Sequence, residues 1–176
     1  PEVSAEALMR VSTTLAAILL ATLAVAGPAA AGPALLFDAS DGKILYAEEM
    51  DDQWHPASLT KIMTAYMAFK AIKAGKIRLD DKVICTQLAN QQPPSKIGLP
   101  IGGELTVELA LQALIVKSAN DVAVMLAEKI SGSELQFVAD MNATARELGM
   151  TRTQFSNANG LPAFGQVTTA RDLAKL

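Results

Sequence analysis

The pattern of apolar and polar residues predicts a β-hairpin and then a long helix in the first half of the chain. Residues 34–38 form a short apolar run, the letters ASDG are typical of a turn, and residues 43–48 alternate again. From about residue 57 to residue 74 the apolar positions recur mostly at helical spacing, and Gly75 ends the run. Because this apolar stripe is broad, we expect the helix to be largely buried, with its Met and aromatic side chains in the core.

The second half of the chain is predicted to be mostly helical. Residues 82–86, KVICT, fit a short strand, and a polar loop with three prolines and three glycines follows at 87–103. Helices are predicted at 107–116, 121–130 and 133–148. Ser133 and Gln136 have the spacing of a capping box, Gly132 and Gly149 are placed to end the last two helices, and Asn159-Gly160 marks a turn.

The N-terminal segment has the order of regions found in a secretory signal peptide. Met9 and Arg10 precede an uncharged run at 15–26, which Gly27-Pro28 breaks before a stretch of alanines. We predict an upstream extension at 1–8, a signal peptide at 9–31 and a mature chain at 32–176. The alternative is an uncleaved membrane anchor, although twelve residues are short for a bilayer, which needs about 20.

Composition narrows the classes of function. A chain of 176 residues that is 51% hydrophobic suits one domain with a real core. Its net charge is −3, its cationic residues are scattered and only 5% of it is aromatic, so we expect no nucleic-acid partner. With a single histidine, His55, and a single cysteine, Cys85, we expect no metal site, and no phosphate-binding loop or cofactor motif is present. Cys85 stands in an apolar run and is expected to be buried.

Ser58 and Lys61 are candidates for a nucleophile and its general base. Pro56 suits the first turn of a helix, so Ser58 is predicted near the helix start, and a spacing of three places Lys61 on the same face. Unpaired N–H groups at a helix start can stabilise an oxyanion. Lysine acts as a base only when neutral, which at pH 7 costs about 4.6 kcal/mol from an ordinary pKa. Burial and the positive helix end lower that cost. The alternative is an ordinary helix cap beside a surface lysine.

A second polar group stands at the predicted junction of two helices. Ser118 and Asn120 flank Ala119 in the string VKSANDVAV, where side chains can project into a cleft. Helix capping is the alternative explanation, since Ser, Asn and Asp are common caps. A Ser-x-x-Lys at the start of a buried helix, followed about sixty residues later by Ser-x-Asn, is nevertheless a rare pairing.

At these residues the sequence resembles the penicillin-binding, active-site-serine peptidases, and among them the serine-type D-alanyl-D-alanine carboxypeptidases that trim peptidoglycan. The resemblance covers about residues 34–176. It extends through PASLTKIMTAYMA, SANDVAVMLAEKISGS, FVADMNATARELGMTRTQFSNANGL and TTARDLAKL. It implies an α+β fold of the β-lactamase/transpeptidase type, with an antiparallel sheet flanked by helices and an all-helical subdomain, here at about 76–165.

The resemblance also implies residue roles and partners. Ser58 would be the nucleophile, Lys61 the general base and Ser118 the proton relay to the leaving D-alanine. Asn120 would bind the substrate amide and help to fix Lys61, and the Ser58 N–H would form half of the oxyanion hole. The implied partners are peptidoglycan stem peptides ending in D-Ala-D-Ala, and β-lactam antibiotics as acylating inhibitors. The implied location is the periplasm or the outer face of the bacterial cell membrane.

One motif of the family is missing. Its Lys-Thr-Gly triplet, which binds the substrate carboxylate, has no counterpart; Lys96-Ile97-Gly98 precedes Ser118 and lacks the hydroxyl. We therefore expect a chain truncated before this motif, with the fold incomplete at its C-terminus and any C-terminal membrane association lost. The sequence does not decide whether such a chain hydrolyses its substrate. Three alternatives remain. The first is a non-catalytic remnant that binds peptidoglycan, and the second is a serine β-lactamase, although that class usually carries Asp where this chain has Ala119. The third is a Ser-His hydrolase built on His55.

Overall fold

The computed structural model describes residues 32–176. The predicted signal peptide at 9–31 and the extension at 1–8 lie outside the described residues. Residues 33–176 form one compact unit. In it β1 (Ala34–Phe37) and β2 (Ile44–Glu48) pair antiparallel as the predicted hairpin, with Ala34 opposite Glu48 and an irregularity between Leu36 and Phe37. The side chains of β2 are exposed along its whole length.

The central helix begins in two stages. A single 3₁₀ turn, Ala57–Leu59, leads into α1 (Thr60–Lys73). Pro56 caps the 3₁₀ turn with φ −66°, the angle its ring imposes, and its carbonyl accepts the N–H of Leu59. The predicted helix is therefore confirmed, with Ser58 in the turn that precedes α1 rather than inside it.

A second antiparallel pair and five helices follow. β3 (Lys82–Ile84) pairs with β4 (Glu104–Thr106), and α2 (Gln87–Asn90) lies between them within the predicted polar loop. The predicted helices are confirmed as α3 (Val107–Val116), α4 (Asn120–Ser131) and α5 (Glu134–Glu147), and a short α6 (Ala170–Leu173) comes last. The architecture is thus α+β, as the resemblance implied. The short pairing partner β4 had no signal in the sequence pattern.

The core lies where α1, α3, α4 and α5 meet. Hydrophobic burial is the main favourable contribution to folding, and apolar side chains from every one of these helices enter this region. Cys85 is also fully buried, as predicted, and its thiol lies 3.4 Å from the Leu99 carbonyl oxygen. The largest fully buried side chains are Phe137, Phe155, Met63, Leu114, Met125, Leu126, Met141 and Met150.

The burial predicted for α1 is correct on one face only. Met63, Met67 and Ala68 are buried in the core, whereas Ile62 is exposed and Phe69 is 52% exposed. The expectation that the aromatic residues of α1 belong to the core is therefore wrong for Phe69. Periodicity identifies an apolar stripe, but the stripe is wider than the surface that α3, α4 and α5 cover.

Candidate active site

The start of α1 places Ser58 and Lys61 in different environments within one turn. Ser58 is exposed, whereas Lys61 is only 5% exposed. Nζ of Lys61 lies 3.3 Å from Oγ of Ser58. A nucleophile and base at this separation are close enough for proton transfer, since such contacts tighten when substrate binds. The predicted pairing of the two side chains is confirmed as a contact.

Burial shifts the pKa of the lysine in the direction that a base requires. Desolvation lowers the pKa of the Lys61 ammonium from its ordinary range. The group's second partner is the Asn159 carbonyl oxygen, which accepts from Nζ at 2.6 Å. This acceptor carries no full charge, so it orients the amine without the strong stabilisation of the ammonium that a carboxylate would give.

Ser118 completes a cleft with these two residues. It lies between α3 and α4 with φ +55°, in the left-handed region that a serine rarely adopts. The cleft has a volume of about 320 Å³, and its remaining walls are apolar. The lining residues are Ser58, Lys61, Ile62, Ala65, Leu114, Ile115 and Ser118. Three of the predicted site residues are therefore brought to one cavity.

Asn120 donates hydrogen bonds to the loop before the cleft. Its Nδ2 donates to the Pro93 carbonyl at 3.0 Å, and its backbone N–H donates to the Ser95 carbonyl at 2.7 Å. In this structure the Asn159 carbonyl binds the Lys61 amine, and the expected role of Asn120 in fixing Lys61 stays a prediction. The loop before the cleft presents carbonyl groups that need donors, and Asn120 supplies two of them.

Two residues that contact the site, Asn159 and Gly160, were not predicted from the sequence, where the Asn-Gly pair indicates only a turn. Gly160 has φ +87°, and a Cβ built on it would lie 1.8 Å from the Ala57 carbonyl oxygen and 3.1 Å from the Ser58 nitrogen. Ala57 itself has φ +46°. The turn therefore packs directly against the peptide that carries the nucleophile, and only glycine fits there. The Asn-Gly dipeptide was the available signal, but it does not reveal a contact with residue 57.

A larger cavity near this cleft is lined by neither Ser58 nor Lys61. It has a volume of about 490 Å³ and is lined by His55, Pro56 and Ala57 on one side and by the segment 160–166 on the other. The His55 ring lies with Nδ1 3.2 Å from the Gln166 carbonyl, so it does not pair with Ser58 through this nitrogen. Within residues 32–176, no three His, Cys, Asp or Glu side chains gather where they could hold a metal ion. The smaller cleft is therefore the candidate active site.

An exposed serine beside a buried lysine of lowered pKa is an arrangement suited to nucleophilic acyl transfer. Comparison with known proteins gives the family. Residues 21–176 match the family described as D-alanyl-D-alanine carboxypeptidase, and this chain belongs to that family.

Individual relatives agree with the family match. The chain is 41% identical over 141 residues to the D-alanyl-D-alanine carboxypeptidase DacF of Bacillus subtilis, covering 80% of this chain and 36% of the relative. The crystal structure of the carboxypeptidase DacD from Francisella tularensis is similar with a TM-score of 0.80 and 37% identity, over 82% of this chain and 35% of that one.

A third relative is penicillin-binding protein D2 from Listeria monocytogenes, whose structure in a cefotaxime-bound form is similar with a TM-score of 0.71 and 29% identity. The similarity covers 82% of this chain and 59% of that one. The chain thus spans about a third of the length of the carboxypeptidases named above. The penicillin-binding protein fold that the sequence implied is confirmed.

Proposed function

We propose that this protein is a serine D-Ala-D-Ala carboxypeptidase, in which Ser58 removes the terminal D-alanine of a peptidoglycan stem peptide through an acyl-enzyme. The observation that carries the proposal is the 3.3 Å contact between the exposed Ser58 hydroxyl and the buried Lys61 amine. The membership of the chain in the carboxypeptidase family supports the choice of substrate.

The presence of three polar side chains in one cleft supports the following reaction. Neutral Lys61 takes the proton of the Ser58 hydroxyl as Oγ bonds to the carbonyl carbon of the penultimate D-alanine. The oxyanion develops beside the N–H of Ser58, which we propose as half of the oxyanion hole. Ser118 then gives its hydroxyl proton to the leaving nitrogen and regains one from the Lys61 ammonium. The peptide bond breaks, D-alanine leaves, and water later hydrolyses the ester.

The remaining predicted roles are proposals about the whole protein. We place Asn120 beside the substrate amide because it opens α4 two residues after Ser118. β-Lactams would acylate Ser58 as substrate mimics, in line with the cefotaxime-bound relative. The substrate is outside the cytoplasm, so we infer export through the predicted signal peptide at 9–31. None of the helices within residues 32–176 has the length and apolar run that a bilayer crossing requires.

Labelling with a fluorescent penicillin tests the proposal. We expect a covalent label on the peptide that contains Ser58, which the Ser58→Ala variant loses and the Ser40→Ala variant keeps, because Ser40 lies in the exposed turn of the hairpin. A folded protein that takes no label would make the chain a non-catalytic remnant. The lifetime of the label separates the two enzymes: rapid hydrolysis is expected of a β-lactamase, and a persistent adduct of a peptidase.

A further inference from the structure

Gln92 is connected to the base by a chain of hydrogen bonds. Its side-chain Oε1 accepts from Nδ2 of Asn159 at 2.8 Å. The backbone carbonyl of the same asparagine accepts from Nζ of Lys61 at 2.6 Å. Asn159 is 2% exposed, and its bond to Lys61 is buried, whereas its bond to the partly exposed Gln92 is only partly buried. Three segments that are distant in sequence thus meet at one buried amide.

The orientation of Asn159 is fixed at both ends of its side chain. Its Oδ1 accepts the backbone N–H of Leu161 at 3.0 Å, which leaves Nδ2 to donate to Gln92. Rotating the amide would break both bonds. The backbone next to it is held as well, because Asn157 Oδ1 accepts the N–H of Gly160 at 2.7 Å. The carbonyl that faces Lys61 therefore has little freedom as long as Gln92 is in place.

The loop that carries Gln92 is itself attached to the junction between α3 and α4. The carboxylate of Asp121 accepts the backbone N–H groups of Ile97 and Gly98, at 3.0 and 2.8 Å for Oδ2. Ser95 Oγ donates to the Lys117 carbonyl at 2.8 Å. The loop is thus anchored on the same junction that carries Ser118, and Gln92 extends from a fixed base rather than from a free segment.

We propose that Gln92 is a positioning residue for Lys61, acting through Asn159. The proposal rests on the proposed function, because the placement of Nζ matters to the chemistry only if Lys61 is the base. A carbonyl held at a fixed point binds one N–H of the amine. It thereby directs the lone pair of the neutral form toward the Ser58 hydroxyl. Loss of the Gln92 bond would leave the nucleophile and base present but poorly aligned.

The other charged groups around this network have partners of their own. Glu134 Oε1 accepts the N–H of Ala158 at 3.1 Å, and Asp121 binds the loop amides. Lys96 donates to the Asn90 carbonyl at 2.8 Å. A new carboxylate at position 92 would be connected to Lys61 through the hydrogen bonds of Asn159. Its effect on the pKa of Lys61 is therefore a direct test of the proposal.

The experiment compares Gln92→Glu with Gln91→Glu by NMR titration of the lysine side chains, with the Lys61 signal assigned by its loss in Lys61→Arg. Gln91 is exposed and adjacent, so it controls for the added charge. We expect Gln92→Glu to keep the bond to Asn159 and raise the pKa of Lys61 by about one unit, and Gln91→Glu to raise it by much less. Equal shifts in the two variants, or none, would overturn the proposal.

A second measurement uses the acylation rate with penicillin. Gln92→Met, which cannot bind Asn159, is expected to be acylated about tenfold more slowly or worse, and Gln91→Met within about twofold of the wild type. Equal rates in the two Met variants would refute the positioning role. If the wild type is not acylated at all, the proposed function fails, whereas the NMR titration still decides whether Gln92 is coupled to Lys61.

Discussion

The carbonyl oxygen of Asn159 lies closer to Nζ of Lys61 than the hydroxyl of Ser58 does, at 2.6 Å against 3.3 Å. The position of the Lys61 amine is therefore set by a residue 98 positions away in the sequence. Thr64 reinforces the contact one turn further along α1, because its hydroxyl donates to the Ala158 carbonyl at 2.6 Å. The segment around Asn159 is thus a structural support for the reactive end of α1.

Gly160→Ala should disable the site by displacing the nucleophile. The new Cβ would overlap the Ala57 carbonyl at 1.8 Å, so the Ala57–Ser58 peptide must move. We expect acylation by penicillin to slow about 100-fold and the free energy of unfolding to fall by about 1–3 kcal/mol. Mass spectrometry of the acylated fraction against time measures the first effect, and urea unfolding measures the second.

Gly165→Ala is the matched control for that variant. Gly165 also has a positive φ, +77°, but a Cβ there meets no atom within 4 Å. It should lose about 1–2 kcal/mol of stability through backbone strain alone and keep the wild-type acylation rate. Equal slowing in the two variants would show that the contact between Gly160 and Ala57 does not matter for the reaction.

Ser118→Gly should separate stability from activity. Glycine adopts the φ of +55° found here without strain. The variant should therefore unfold at a urea concentration no lower than that of the wild type. Removal of the hydroxyl should slow release of D-alanine from a D-Ala-D-Ala peptide, or acylation by penicillin, by about 10²–10⁴-fold if Ser118 transfers the proton. A Ser118→Gly variant that is less stable than the wild type would contradict the prediction about stability, and one that is fully active would contradict the prediction about proton transfer.

Asp172 should make stability depend on acid pH. Burial alone would raise the pKa of this carboxyl, but hydrogen bonds from Lys175, the Arg152 N–H and Thr153 together lower it. Because the folded pKa is depressed, the stabilisation is present above the ordinary value of 3.8 and is lost as the pH falls through the folded pKa. Asp172→Asn should therefore lose about 1.5–3 kcal/mol at pH 7 and progressively less in acid.

Urea unfolding followed by circular dichroism at neutral and acid pH measures that difference. Asp80→Asn is the control, because Asp80 forms a solvent-exposed ion pair with Arg78, and such a pair contributes little to stability at neutral or acid pH. A stability loss at position 172 that is the same at all pH values would show that the charge of Asp172 is not what stabilises the fold.

The parts of the site that could be predicted from sequence are the local ones. Ser58 and Lys61 are three residues apart, so helical geometry alone brings them together. The contacts of Asn159 with Lys61 and Gln92 join segments separated by 98 and 67 positions, and no periodicity encodes such a meeting. The same limit applies to Asn120, for which the resemblance implied a contact with Lys61, whereas its N–H groups bind the carbonyls of Pro93 and Ser95.

The fold shows the same division between local and non-local information. The hairpin and the long helices follow from alternation and from glycine stops such as Gly132, which has φ +82°. The strand β4 has only three residues, and its pairing with β3 depends on a partner about twenty positions away. The exposure of Phe69 likewise depends on which surfaces are covered, which an apolar stripe does not specify.

If neutral Lys61 activates Ser58, as we propose, the rate of acylation must depend on pH through the Lys61 amine. Intact mass would be followed after addition of penicillin to the wild type and to Lys61→Arg, across the pH range in which both stay folded. The wild-type rate should rise with pH through an apparent pKa below the ordinary lysine value of 10.5, because burial lowers the pKa and only the neutral amine is a base. Arginine stays protonated, so that variant should lose this rise and react about 10²–10⁴-fold more slowly. If Lys61→Arg instead keeps the wild-type rate and pH profile, Lys61 is not the base and the account is wrong.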